Sequence, residues 1–156
     1  MRGIMLRALP VSFVAFAVGC FSLGGSGSGP TVPAPSATHA YWQKVNEVLA
    51  QKPAGSEMKA LVQLIRTQTD ALRELDADGV DPALVAAVAD VIKCEEEVLR
   101  RASIAGDDPT VLKTSEPMAR AFADANHKAA EAKKRLRALR GPLNDRLGGG
   151  FAALGG

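Results

Sequence analysis

Few side chains in this 156-residue chain are of a type and spacing to do chemistry. Cys94 stands directly before Glu95-Glu96-Glu97. A nucleophilic thiol needs a base and a depressed pKa, but no histidine lies near in sequence, and three carboxylates raise a thiol pKa. Cys94 is therefore expected to be a half-buried free thiol, or a disulfide link between two copies. Glu95 is the odd residue, because helical spacing sets it on an apolar seam between Ile92 and Leu99, where a leucine belongs. Gln68 interrupts the preceding seam in the same way, and Asn126 flanks the following one. If the three meet, they form a buried polar layer. Such a layer either fixes helix register by hydrogen bonding or lines a pocket for a small ligand or metal. Di-iron bundles need several inward glutamates with Glu-x-x-His pairs. The sequence has no such pair, so register fixing is expected and a metal is not.

His127 points away from its helix's apolar seam and should face water. There is no CxxCH for haem attachment, and a four-helix haem site would need an inward histidine. Its neighbourhood, Ala125-Asn126-His127-Lys128-Ala129, also lacks the glycine that usually accompanies a phosphorelay histidine. No Walker loop, GxSxG, HExxH or EF-hand pattern occurs, and the glycine clusters at 24–29 and 148–150 lie in segments expected to be loose. No catalytic residue, cofactor or enzymatic activity is expected.

The elements that must position these residues are helices, since no β-rich alternating run occurs. Thr38 can cap a short first helix carrying Tyr41, Trp42, Val45, Val48 and Leu49, ending near Pro53-Ala54-Gly55. Tyr41 and Trp42 are expected in the core. Ser56 is placed to cap a second helix, with Met58, Leu61, Ile65, Leu72 and Leu75 on one face and Gly79 as its stop. Asp81-Pro82 starts a third, a capping carboxylate followed by proline at the first helical position. Its seam is Val85, Val88, Ile92, Leu99 and Ala102, widened by Leu84, Val91 and Val98. The fourth runs from near Ser115 to Arg140, with Met118, Phe122, Ala125, Ala129, Ala132, Leu136 and Leu139 at heptad spacing. The predicted fold is all-α: an antiparallel helical bundle of three long helices and a shorter N-terminal one, over residues 38–141. Residues 142–156 are expected to form a flexible Gly-rich tail.

Ahead of the bundle, Arg2 and Arg7 precede an uncharged, largely apolar stretch from Ala8 to Leu23. This reads as a secretory signal, short of the ~20 apolar residues a membrane-spanning helix needs. The stretch Ala17-Val18-Gly19-Cys20 resembles the lipobox of bacterial lipoproteins, with Ala17 where leucine is usual. The resemblance implies acylation of the Cys20 thiol and cleavage after Gly19, so that residues 1–19 are removed. By the same analogy Phe21, in place of aspartate, implies the outer membrane or cell surface. Ala15-Phe16-Ala17 also fits ordinary secretory cleavage, which would release a soluble exported protein. Residues 20–37, free of charge and rich in Gly, Ser and Pro, should form a disordered tether of about 23 Å root-mean-square reach.

The formal net charge of +2 belongs to the signal, since without Arg2 and Arg7 the chain carries 17 charges of each sign. That balance argues against nucleic acid as a partner. Charge is nevertheless segregated: residues 40–110 carry net −5 and residues 111–156 net +5, so the last helix should lie beside acidic neighbours. The basic run Lys133–Arg140 could meet anionic headgroups. Leu136 and Leu139 are needed in the core, however, and a solvated face is the expected role. The expectation is a lipid-anchored, non-enzymatic envelope protein whose bundle contacts another protein or its own copies. The alternative is a periplasmic ligand- or metal-binding bundle using Gln68, Glu95 and Asn126.

Overall fold

A computed structural model describes residues 36–105, 110 and 114–155. The expected signal, the Gly19–Cys20 junction and nearly all of the tether lie outside the described residues. Among the described residues all regular structure is helical: α1 Ala37–Leu49, α2 Met58–Arg73, α3 Pro82–Ala105, α4 Glu116–Ala138 and α5 Arg140–Leu147.

The caps show where local signals held and where tertiary contacts took them over. Ser36, rather than Thr38, caps α1, its Oγ accepting from His39 N at 3.4 Å. Thr38 is buried inside the first turn, and its Oγ1 accepts from Asp81 N at 3.0 Å, tying the start of α3 to α1. Ser56 does not cap α2; Glu57 holds that position without a side-chain bond. The helix ends at Arg73, and Gly79 instead serves the turn into α3 with φ +67°. Asp81 caps α3 as expected, Oδ1 accepting from Ala83 N at 2.9 Å and Leu84 N at 3.4 Å. Arg146 of α5 pairs with the other oxygen of that carboxylate at 2.9 Å.

The buried seam of α3 is Leu84, Val88, Val91, Glu95, Val98 and Ala102, alternating four and three. The sequence reading centred the stripe on Val85, Ile92 and Leu99, which are only half-buried flanks. Apolar residues cover more than one side of this helix, so periodicity alone left the centre open. On α4 the expected seam holds, with Ala125, Ala129, Ala132 and Leu136 buried. Alanines there permit the close approach of α3 and α4.

The tail expectation is overturned. Leu143 is fully buried, and Phe151 and Leu154 are 2% and 9% exposed, all three in the main core. Helix α4 ends at Leu139 and α5 begins at once, so Pro142 falls in the first turn of a new helix. The missing N–H costs nothing there, because first-turn amides have no intrahelical partner. The chain then turns through Gly148, Gly149 and Gly150, all at positive φ, and returns over α1.

Candidate functional site

The most unusual group is Glu95, with a side chain 1% exposed, in the middle of the α3 seam. Thr69 of α2 lies below it, Oγ1 being 3.1 Å from Glu95 Oε2 and 2.8 Å from Ile65 O. One hydroxyl proton thus serves two acceptors. From the other side Lys133 of α4 brings Nζ to 2.7 Å from Glu95 Oε1. That contact is an ion pair rather than an aligned hydrogen bond. The lysine stem runs inward along apolar surface while a quarter of the side chain stays exposed. The triad joins α2, α3 and α4.

The predicted polar layer does not form. Gln68 is buried but faces α1, its Nε2 donating to Val48 O at 3.1 Å and Gln51 O at 3.4 Å. It satisfies carbonyls at the end of α1, which have no partner within that helix. Asn126 donates to Phe122 O of its own helix at 3.0 Å. Glu95 therefore meets neither; its partners are Thr69 and Lys133, which the sequence reading missed. Thr69 carried a weak signal, being beside Gln68 on the side of α2 opposite its more exposed residues. Lys133 carried none that set it apart from Lys134 or Arg135, since only the packing of α4 on α3 selects it.

Cys94 is half-buried, and burial pushes its thiol pKa up, with the Asp90 carboxylate adding to the effect against Arg135, Lys93 and Lys128. It lines an open depression of about 440 Å³ with Lys93, Glu96, Glu97, Arg100 and Lys128. Three of the five rim charges, Glu96, Glu97 and Arg100, are held in ion pairs. Arg100 and Arg101 hydrogen-bond Glu97 and hold its carboxyl below the usual range, and Arg73 pairs with Glu96. A thiol whose pKa is raised by burial is less nucleophilic than a free cysteine at neutral pH.

His127 faces solvent, as its position on the helix required. The basic run is mostly spent within the chain: Lys133 on Glu95, Arg135 on Asp90, Lys134 near Glu131, and Arg140 on Phe151 O at 2.8 Å. Asp90 and Glu95 of α3 thus meet Arg135 and Lys133 of α4, opposite charges from the two blocks. Trp42 and Tyr41 are in the core, 1% and 5% exposed, and burial raises the Tyr41 pKa.

Among the described residues no group of three or more His, Cys, Asp or Glu could hold a metal ion. None of their helices is long and apolar enough to cross a membrane. Comparison with known protein families, curated proteins and solved structures found no match to this chain.

Proposed function

We propose that this chain is an exported, lipid-anchored interaction module of a bacterial envelope, with no enzymatic role. The observation that carries the reading is the order Arg2, Arg7, an uncharged stretch, then Ala17-Val18-Gly19-Cys20. A positive end followed by a short apolar helix and small residues before a cysteine is what membrane export and thiol acylation each require. The acyl chains would hold Cys20 in the outer membrane or at the cell surface, and the Gly/Ser/Pro segment would give the folded part its reach.

The folded part is then an antiparallel bundle of three longer helices and a shorter N-terminal one. Two ion pairs support that arrangement: Asp90 with Arg135 and Glu95 with Lys133, so that numbering rises along α3 as it falls along α4. The chemistry of Glu95 supports a structural role. A ligand pocket would need Gln68, Glu95 and Asn126 around one space, whereas Gln68 and Asn126 spend their amides on carbonyls elsewhere.

Intact mass of the mature protein extracted from membranes tests the reading. The expected species begins at Cys20 and carries the added mass of a diacylglyceryl group, and Cys20→Ser abolishes both the added mass and incorporation of labelled palmitate. An unmodified polypeptide that alkaline carbonate releases from membranes overturns it.

A further inference from the structure

Residues 148–155 make contacts unlike those of ordinary chain packing. Three side chains of α1, His39, Trp42 and Asn46, are spaced by three and four and form one stripe. Each meets a main-chain group of the tail. His39 Nε2 lies 2.6 Å from Gly149 O, Trp42 Nε1 donates to Ala152 O at 2.9 Å, and Asn46 Oδ1 accepts from Gly155 N at 2.7 Å. A carbonyl can only accept, so His39 Nε2 carries its hydrogen and Nδ1 faces the Ser36 hydroxyl at 2.6 Å. Two residues at the α5 end complete the set, Arg140 donating to Phe151 O and Asn144 accepting from Phe151 N.

Between these polar contacts sit two apolar anchors, Phe151 and Leu154, while Ala152 and Ala153 face solvent. The Phe151 ring stacks on His39 at 4.1 Å and meets Trp42 edge-on at 5.7 Å. Glycine suits the places where the tail lies closest, and Gly150 also has φ +92°. A Cβ at Gly150 would come within 3.2 Å of His39 Nε2, and one at Gly155 within 3.1 Å of Ala50 Cβ. Main-chain bonds from a fixed stripe, with pockets for alternate apolar side chains, are how proteins recognise peptides. Here the peptide is the chain's own segment after α5.

Its connection to α5 is Gly148-Gly149-Gly150, all at φ between +82° and +92°. Such a joint redirects the chain at little steric cost. Apart from the local bonds of Gly148 N and Gly149 N to Asn144 O, the contacts that hold the tail can therefore be made by the tail of another copy. We propose that the segment Gly148–Gly155 is an exchangeable arm and that the α1 stripe of one molecule receives the arm of a second. The tethered arm acts at an effective concentration on the order of millimolar, so each copy closes on itself when dilute. Crowding of copies on one surface favours exchange. The inference deepens the interaction role proposed above but rests on residues 36–155; loss of the acyl group would overturn the anchor and leave the exchange intact.

Isotopically heavy and light full-length protein, mixed at high concentration in reductant to exclude Cys94 disulfides, warmed below the melting transition, cooled and examined by native mass spectrometry, provides the test. Heavy–light dimers are expected. Their fraction should fall about tenfold when excess synthetic peptide of residues 148–155 is present during warming, as mass action requires. Monomer alone overturns the proposal, and so do mixed dimers that the peptide leaves undiminished.

Discussion

The described residues form two apolar cores of unequal quality. The larger gathers Trp42, Val45, Leu72, Leu84, Leu136, Leu143 and Phe151, large side chains drawn from every helix and from the tail. The smaller has only Val98, Ala125 and Ala129 fully buried, with Ile65 and Phe122 packed at its edge. Farther along the same helices Leu61 and Ile104 remain 40% and 54% exposed. The difference follows from α1, which at 13 residues is little more than half the length of α3 and contributes nothing to the smaller core. Beside α1 the interior holds aromatic side chains; in the smaller core, small residues of α3 and α4 pack together. Glu95 lies at the junction, between Val91 of one core and Val98 of the other.

The sharpest way to break this comparison is to truncate one aromatic ring in each core. Phe151→Ala should cost about 3–5 kcal/mol, the usual loss for a buried ring, read from urea unfolding with Trp42 fluorescence as the probe. Phe122→Ala, at a half-buried position, should cost less than half as much. Equal losses would mean that the two cores are equally tight.

The junction should answer next, with effects of opposite sign. Lys133→Met leaves the Glu95 carboxylate buried without its cation. A fully buried pair broken this way costs about 3–5 kcal/mol, and partial exposure of the lysine lowers the expected loss to about 2–3 kcal/mol. Glu95→Leu restores an apolar seam and should be neutral or stabilising by about 1–2 kcal/mol. Thermal melts of the two variants and of the double mutant separate the pair from its surroundings; destabilisation by Glu95→Leu would show that the polar group holds the cores together.

Two smaller effects sharpen the picture at the surface of the junction. The raised Cys94 pKa leaves less thiolate at pH 8, so iodoacetamide should alkylate it more slowly than a free peptide thiol. Equal rates would show that the thiol is open to solvent. Glu97 works in acid. Its carboxyl is held low by Arg100 and Arg101, so its pairing supports the folded state above the ordinary carboxylate range. That support fades as pH falls through the depressed pKa. Glu97→Gln should therefore lower stability slightly at neutral pH, leave it nearly unchanged in strong acid, and so flatten the acid side of the stability profile.

Several features could be read residue by residue. The Asp81-Pro82 start, the alanine-rich α4 seam and the outward His127 each depend on a window of a few residues, where capping and the 3.6-residue period act directly. Glu95 was visible as an anomaly for the same reason. The centre of the α3 stripe was not, because apolar residues on adjoining sides of that helix give two nearly equal seams. Thr38 was assigned to a cap it could have made, but a long-range bond from Asp81 N claimed its hydroxyl.

Local composition and spacing alone thus sufficed for helix content, most helix ends and one charged residue where a leucine was due. Such properties arise from hydrogen bonds and side-chain rows within a few turns. The partners of that charge, the turn of Gln68 toward α1 and the burial of the glycine-rich end needed the folded chain. Gly149 and Ala152 are each held by a residue 110 positions away. A segment with no period of its own is ordered only when a groove built elsewhere supplies the bonds and apolar contacts that offset its lost entropy.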